Sequence, residues 1–309
     1  MSLAIDTEHL RKEYGAKVAV SDLTLQVQEG EVFGFLGPNG AGKTTSVKML
    51  LSLISPTSGA ARILGRPLGD LGARARVGYL PEHFRFHDWL RAAEFLDLHG
   101  KLYGMSAGER AAVIPDLLEL VGLSDQAQVK VGTFSKGMQQ RIGLAQALLN
   151  NPRIVFLDEP TSGLDPLGRK LVRDIINRLR EEGVTVFLNS HLLSEVELTC
   201  DRVAFIRKGV VVQTTTIEDW HQENVQLALR VGQPDEALRE GLAAWGTVMP
   251  ALPADKLTGR IRLAISHESR IPALAQWLHE HQYSLYELTP LHLSLEERFI
   301  QLMGGEAVA

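Results

Sequence analysis

The sequence has one cysteine, Cys200, among its 309 residues, and it contains no apolar run approaching the roughly 18 residues that a membrane helix requires. A lone cysteine excludes an internal disulfide framework and is typical of a reducing compartment. The first residues, MSLAIDTEHLRKEYG, include acidic side chains early and lack the charged-then-apolar pattern of a signal peptide. These absences predict a chain that stays in the cytosol and has no membrane span of its own.

An excess of positive charge is also missing. The formal net charge is −5, and residues 220–309 carry 7 basic and 11 acidic side chains. Neither half resembles a polycation, so the composition predicts that nucleic acid is not a partner. With 45% hydrophobic residues, the chain has enough apolar material for a sizeable core, and its length favours two domains.

The order of apolar segments predicts an α/β domain over residues 1–220. EVFGFLG (31–37), RIVFLDE (153–159) and GVTVFLNS (183–190) have strand length and are apolar throughout, as expected of a mostly parallel sheet covered on both faces. A more helical insert is predicted at about residues 88–132. Residues 221–309 alternate strand and helix patterns, with a possible extra strand near GTVMP, and predict a small α+β accessory domain of the split β-α-β kind.

GPNGAGKT (37–44) fits the phosphate-loop pattern G-x-x-x-x-G-K-[ST] and lies between an apolar strand and the helical pattern TTSVKMLLSLI. Its glycines let backbone N–H groups curl around phosphates, and the following helix adds its positive end. Lys43 would reach the β- and γ-phosphates, and the Thr44 hydroxyl would bind Mg²⁺. The alternative is a glycine-rich turn without a ligand. The predicted phosphate-binding residues are Gly37, Pro38, Asn39, Gly40, Ala41, Gly42, Lys43, Thr44 and Thr45.

IVFLDE (154–159) provides two carboxylates where a buried strand ends. Asp158 can hold Mg²⁺ or its water ligands, and Glu159 can polarise an attacking water as a general base. Alone, this pattern is usually a strand running into a loop. Beside the glycine loop, it is the expected second half of a site for a nucleotide and Mg²⁺.

FSKGMQQR (134–141) opens a predicted helix, yet Gly137 lies in its first turn. Glycine in a helix costs roughly 1 kcal/mol relative to alanine. Its own composition gives no reason for this glycine.

These segments together resemble the ATP-binding subunits of ABC transporters over about residues 3–220. FSKGMQQR is similar to the family signature L-S-G-G-x-x-x-R, TSGLD (161–165) is similar to its D-loop, and NSH (189–191) is similar to its switch-histidine motif. With the glycine loop and IVFLDE, five motifs occur in the family's order. The resemblance implies a P-loop NTPase core and ATP hydrolysis.

The resemblance also implies residue roles. Tyr14 would stack on adenine, the alternative being a half-buried strand tyrosine. His191 would contact the γ-phosphate and act with Glu159 and Lys43 in catalysis. Ser135, Gly137 and Asp165 would belong to the nucleotide sites of a head-to-tail dimer, in which one subunit's signature covers ATP bound by the other.

Two motifs depart from the family pattern, and in the signature Phe134 also replaces the usual leucine. In GYLPEH, Glu82 stands where the family has a glutamine that contacts Mg²⁺. A glutamate keeps an acceptor but loses the amide donor, so Glu82 is predicted still to serve the metal. Lys136 replaces the first signature glycine, and either faces the partner's phosphate or is a solvated lysine at a helix start.

The partners implied are a pair of membrane-spanning subunits and a second ATP-binding subunit, with a homodimer favoured. The chain would then lie peripherally on the cytoplasmic face of the cell membrane. Residues 84–105 are a candidate docking segment, with Phe84, Phe86 and Trp89 as the positions to test; ordinary packing of the insert is the alternative. The tail pattern SLEERFIQLMGG is similar to that of bacterial exporters, and its domain would stabilise the dimer, regulate it or cover apolar surface.

A different class of function is a non-transport ABC ATPase that acts mechanically or as a regulator on a soluble complex such as the ribosome. Such proteins commonly carry two ATP-binding halves, long coiled-coil insertions or basic arms, and this sequence has none of these features. A GTPase is disfavoured because no N-K-x-D motif occurs. A catalytically dead regulatory module is disfavoured because Glu159 and His191 are both present.

Overall fold

The computed structural model describes residues 2–83, 87–219, 225–232, 234–250 and 259–292, together with Leu295, Glu296 and Phe299. Within these residues the first compact unit ends at Thr214 and the second begins at Thr215. The predicted boundary near residue 220, between the α/β domain and the accessory domain, stays a prediction. None of the described helices is long and apolar enough to cross a membrane.

The first unit is built on a ten-stranded sheet. In chain order its strands are β1 (Leu3–Tyr14), β2 (Lys17–Gln28), β3 (Val32–Leu36), β4 (Ser58–Ile63), β5 (Arg66–Pro67), β6 (Val77–Leu80), β7 (Ile154–Asp158), β8 (Thr185–Asn189), β9 (Arg202–Arg207) and β10 (Val210–Thr216). Their spatial order is β5-β4-β1-β2-β10-β9-β3-β8-β7-β6. The half from β9 to β6 is parallel, and β1 pairs antiparallel with β2 and β4.

Three central strands are buried at every position, as the apolar patterns predict. These are β3, β7 and β8. The Phe187 ring lies 5.2–5.8 Å from the rings of Phe33, Phe35 and Phe156, measured between centroids, so aromatic contacts join all three strands. Because these strands run parallel, their carboxyl ends meet at one edge, where the polar residues that follow them collect.

The α-helices of the first unit include those of the predicted insert. They are α1 (Lys43–Leu50), α2 (Leu71–Arg74), α3 (Ala92–Leu102), α4 (Ala107–Leu120), α5 (Lys136–Leu148), α6 (Pro166–Glu181) and α7 (Leu193–Thr199). The insert consists of α3, α4 and two 3₁₀ turns, Ser124–Gln126 and Val131–Thr133. A reciprocal capping box between Ser106 and Glu109 begins α4, and the Ser135 hydroxyl caps α5.

The second unit has the order β-α-β-β-α-β. Its elements are β11 (Val225–Val231), α8 (Glu236–Ala243), β12 (Thr247–Val248), β13 (Ile261–Ile265), α9 (Ile271–Glu280) and β14 (Leu285–His292). The antiparallel sheet has the order β12-β13-β11-β14, and leucines of β11, β13 and both helices form its core. The predicted α+β unit is therefore confirmed, including the extra strand near GTVMP. Most of SLEERFIQLMGG lies outside the described residues.

Candidate active site

The glycine loop connects the end of β3 to the start of α1, and its glycines are required by close backbone contacts. Gly42 has φ +105°, and a Cβ there would lie 2.7 Å from the Ala19 carbonyl oxygen. A Cβ on Gly37 would lie 2.4 Å from the Ile206 carbonyl oxygen. No side chain caps α1, and its first turn contains no acidic residue. Its N-terminal N–H groups are therefore available to an anion.

Lys43 reaches back across this loop. Its Nζ donates to the carbonyl oxygens of Gly37 at 2.6 Å and Pro38 at 3.3 Å. Burial lowers the pKa of the Lys43 ammonium, while three nearby carboxylates oppose that shift. They belong to Glu159, Asp158 and Glu82. The sequence-predicted cation and carboxylates are thus close enough to affect one another electrostatically.

Asp158 is the last residue of β7 and is 3% exposed. Burial raises the pKa of its carboxyl group, and the charges of Glu82 and Glu159 raise it further. A hydrogen bond from Asn189 Nδ2, at 2.5 Å, and the charge of Lys43 act in the opposite direction. Asp158 is therefore a buried carboxylate in a region of excess negative charge.

Glu159 leaves the strand direction because its backbone adopts φ +52°. Its N–H still donates to the Asn189 carbonyl oxygen at 2.8 Å, so the chain stays attached to β8 at this point. The carboxylate Oε2 lies 2.7 Å from His191 Nδ1. The Glu159 side chain is only 10% exposed, whereas the His191 side chain is 63% exposed. The exposed imidazole of His191 therefore contacts the largely buried Glu159 carboxylate from the solvent side.

A cavity of about 520 Å³ brings most of the predicted residues together. Tyr14 does not line it; this tyrosine is 51% exposed, with Lys12 Nζ lying 5.0 Å from its ring centroid. Lys17 and Val18, at the start of β2, line the cavity instead. The lining residues are Lys17, Val18, Ala19, Pro38, Asn39, Gly40, Gly42, Lys43, Thr44, Thr45, Glu82, Glu159, Asn189 and His191.

The oxygen groups at this cavity fit a magnesium ion carried by a phosphate ligand. Thr44 and Glu82, which line the cavity, offer a hydroxyl and a carboxylate. Asp158 does not line it, but its carboxylate is close enough to Glu82 for the two charges to repel each other, and a divalent cation would relieve that repulsion. Among the described residues, no group of three or more His, Cys, Asp and Glu side chains forms a self-sufficient metal site. Mg²⁺ typically uses one or two protein carboxylates and completes its shell with phosphates and water.

The signature segment and the D-loop form a second cluster, which does not line the cavity. Ser135 Oγ accepts a hydrogen bond from Met138 N at 3.2 Å, and Asp165 Oδ1 accepts one from Gly168 N at 2.8 Å. Each side chain therefore caps a helix of its own subunit. A Cβ added to Gly137 would meet Leu164 Cδ2 at 3.3 Å, a contact that a small shift relieves. Packing within the subunit therefore scarcely requires a glycine at position 137.

The neighbouring sequence does not predict where the Lys136 side chain lies. It is exposed at the first turn of α5, and its side chain crosses Gly163 of the D-loop, which has φ +71°. A Cβ on Gly163 would lie 2.8 Å from Lys136 Cδ and Cε and 2.9 Å from Nζ. The lysine therefore connects the signature segment to the D-loop.

Asn189 is a site residue that the sequence interpretation missed. It is the last residue of β8, stands in register with Asp158, and both donates to that carboxylate and lines the cavity. Its only sequence signal is a polar residue ending an apolar strand two positions before His191.

Comparison with known proteins identifies close relatives. The family described as ABC transporter matches residues 20–162. An uncharacterized ABC transporter ATP-binding protein of Synechocystis is 47% identical over 229 residues, covering 73% of this chain and 64% of that protein. The chain thus spans less than two thirds of that relative's length. The bacitracin transport ATP-binding protein BcrA of Bacillus licheniformis is 35% identical over 312 residues, covering 100% of both.

A solved structure shares the fold of the first unit. A dimeric post-hydrolysis state of an ATP-binding cassette, bound to ADP and Pi, is 27% identical with a TM-score of 0.64. The match covers 69% of this chain and 98% of that one.

Proposed function

Since the chain belongs to the family of ABC transporter ATP-binding proteins, we propose that it hydrolyses ATP and thereby powers export of a substrate through separate membrane-spanning subunits. The motif-based resemblance and the fold class are confirmed. The observation that carries the proposed activity is the sheltered Glu159 carboxylate, held by His191 at a cavity that the glycine loop lines. The full-length similarity to a bacitracin transport protein supports an exporter rather than a ribosome-directed ATPase.

The glycine loop and α1 bind the phosphates of ATP in this proposal. Their free N–H groups supply donors, and Lys43 exchanges its loop carbonyl partners for the β- and γ-phosphate oxygens. Thr44, Glu82 and Asp158 hold Mg²⁺, which neutralises phosphate charge when bound. Tyr14 reaches adenine from the neighbouring β1–β2 hairpin, where Lys17 and Val18 already line the cavity.

Glu159 acts as the general base. Its carboxylate accepts a proton from the attacking water, and His191 keeps the carboxylate oriented toward the cavity. The exposed His191 ring can also reach the γ-phosphate from the solvent side. Because the pair is already joined at 2.7 Å, little reorganisation is needed when ATP enters.

The signature segment serves the nucleotide of a second copy of the chain. Ser135, Gly137 and Asp165 do not line this subunit's own cavity, and intrasubunit packing scarcely constrains Gly137. A partner's γ-phosphate approaching the start of α5 would require a residue without a side chain and would meet free N–H groups there. The dimeric state of the related cassette supports the presence of a second copy. A homodimer is the simplest form.

The membrane subunits dock beside the helical insert. A cavity of about 330 Å³ there is lined by apolar and aromatic side chains, among them Leu53, Tyr79, Pro81 and Tyr103. Most of its residues come from the core, at the end of α1, around α2 and on β6, and Tyr103 directly after α3 belongs to the insert, so a docked helix would contact both core and insert. In this proposal the chain lies on the cytoplasmic face of the membrane. Phe84 and Phe86, predicted to dock as well, lie outside the described residues.

Replacing Trp89 with alanine should uncouple transport from ATP hydrolysis. The ring is 68% exposed and contacts the His87 ring edge-on, with 5.2 Å between the two centroids, so truncation removes little internal packing. Reconstituted vesicles containing the co-purified membrane subunits should transport less substrate per ATP, while hydrolysis by the isolated chain is unchanged. Leu198→Ala, 63% exposed on α7, serves as the control. A Trp89→Ala chain that no longer folds would instead indicate a packing role.

Replacing Glu82 with glutamine should change how ATP hydrolysis depends on magnesium. The substitution keeps one acceptor, adds an amide donor and removes a negative charge that helps raise the pKa of Asp158. We expect a shift in the Mg²⁺ concentration that gives half-maximal activity. An unaltered rate and an unaltered Mg²⁺ dependence would remove Glu82 from the metal site.

The decisive experiment for the overall function is purification of the chain from membranes together with its partners, followed by an ATPase assay. Recovery of a membrane-spanning protein whose presence stimulates hydrolysis supports the transporter proposal. Recovery with ribosomes and without any membrane protein would support the mechanical-factor alternative.

A further inference from the structure

Asn189 and Asp158 form a cross-strand pair at the carboxyl ends of β7 and β8. The two residues are register partners, and both are 3% exposed. Neighbouring residues in register on parallel strands direct their side chains to the same face of the sheet. Their side chains accordingly meet at 2.5 Å between Asn189 Nδ2 and Asp158 Oδ1.

The carboxylate determines which way the Asn189 amide points. An ionised aspartate can only accept hydrogen bonds, so the amide nitrogen must face Asp158 and the carbonyl oxygen Oδ1 must face away. Within the described part of the chain, Asn189 Oδ1 is buried and has no hydrogen-bond partner. Buried side-chain oxygens normally have one, so this atom requires an explanation.

The unpartnered oxygen belongs to a residue that lines the nucleotide cavity. Phosphate oxygens cannot donate the missing hydrogen bond to Asn189 Oδ1, because ionised phosphate oxygens are acceptors as well. Lys43 Nζ is already bonded to the carbonyl oxygens of Gly37 and Pro38, and phosphates would attract it next. A water molecule is a donor that fits a polar cavity of this size.

We propose that Asn189 is a positioning residue for the hydrated metal ion: its Nδ2 fixes the Asp158 carboxylate, and its Oδ1 accepts a hydrogen bond from a water bound to that ion. The inference rests on the proposed function, because it presupposes Mg²⁺ beside Asp158. Outer hydrogen bonds of this kind orient metal ligands in proteins generally. Asn189 then does for Asp158 what His191 does for Glu159, and the second pair lies in the residues that directly follow the same two strands.

The test measures metal affinity directly rather than turnover. Mn²⁺ replaces Mg²⁺, and free Mn²⁺ is followed by electron paramagnetic resonance in the presence of the full chain and a non-hydrolysable ATP analogue. Asn189→Leu should weaken Mn²⁺ binding about tenfold, at the low end of the range for lost outer-shell contacts. Affinity for the same analogue in EDTA should be unchanged, because Asn189 makes no contact with the glycine loop in this proposal.

Asn150→Leu is the matched control. Asn150 Nδ2 also donates to one acceptor, the Ala75 carbonyl oxygen at 2.9 Å, and its Oδ1 is likewise buried without a described partner. It does not line the nucleotide cavity. We expect its substitution to leave Mn²⁺ affinity at the wild-type value. If Asn189→Leu does not fold, Asn189→Ser, which is too short to hold Asp158, should show the same selective loss.

Three outcomes would overturn the inference. Unchanged Mn²⁺ affinity in a folded Asn189 variant would show that neither amide atom serves the metal. An equal loss of analogue binding in EDTA would show a general role in cavity shape. If the wild-type chain binds the analogue but no Mn²⁺, the metal assignment of the proposed function fails first, and that result is distinct from the other two.

Discussion

Replacing Glu159 with glutamine should reduce ATP turnover by about 10²- to 10⁴-fold, the usual contribution of a positioned general base. The amide preserves the side-chain volume in a residue that is 8% exposed and can still contact His191, so the fold and nucleotide binding should persist. Loss of the proton acceptor alone then stops hydrolysis. Single-turnover measurement of ATP cleavage in quenched samples is the appropriate assay, because it does not depend on product release.

The same variant should accumulate as an ATP-bound dimer. If ATP joins two subunits and hydrolysis releases them, a subunit that binds ATP without cleaving it should elute at twice the monomer mass in the presence of ATP and Mg²⁺. Glu182→Gln is a suitable control, because Glu182 is an exposed glutamate paired with Arg178 at 2.9 Å on α6. Rapid hydrolysis by Glu159→Gln would exclude Glu159 as the base and direct attention to another cavity residue.

The glycine loop and the buried strands were predictable because their information is local. GPNGAGKT specifies its own curvature, and the apolar runs of β3, β7 and β8 specify burial on both faces. Parallel pairing then brings the strand ends together. For this reason His191 could be assigned to the same region as Asp158 and Glu159, although it lies 32 positions after Glu159 in the sequence.

The rest depends on register and on side-chain conformation, which local patterns do not encode. Asn189 could not be assigned because its pairing with Asp158 arises from the alignment of β7 with β8. The contact of Lys136 with Gly163 depends on how the first turn of α5 lies against the D-loop. The sequence left two alternatives for the Lys136 side chain, a contact with the partner's phosphate and a solvated position. The structure shows an exposed lysine that nevertheless packs along its own chain.

That contact also refines the interpretation of Gly137. The first turn of α5 carries a small residue at one position and a long side chain, folded onto Gly163, at the preceding one. The long side chain is thereby drawn along the D-loop while the backbone near Gly137 stays open. A partner's phosphate could approach this backbone without displacing Lys136. The signature segment of this chain is therefore compatible with the family's role despite its departure from the consensus.

Replacing Lys43 with methionine should weaken ATP binding by about 10²-fold, equivalent to about 3 kcal/mol, because one partner of a partly buried charged contact is lost. Methionine retains much of the aliphatic volume, so the loss reflects the ammonium group. The substitution also removes the cation that lowers the pKa of Asp158, leaving burial and the charges of Glu82 and Glu159 to raise it further. Titration calorimetry with a non-hydrolysable ATP analogue and Mg²⁺ measures the affinity.

Lys48→Met separates this effect from a general loss of positive charge. Lys48 is an exposed lysine in the last turn of the same helix and does not line the cavity, so its substitution should leave ATP affinity unchanged. The two variants have the same net charge and the same new side chain, and they differ in distance from the glycine loop. Equal affinities for both variants would mean that the loop N–H groups and α1 bind ATP without Lys43. Loss confined to Lys43→Met would locate the phosphates at the loop, because the Lys43 ammonium already lies there, 2.6 Å from the Gly37 carbonyl oxygen.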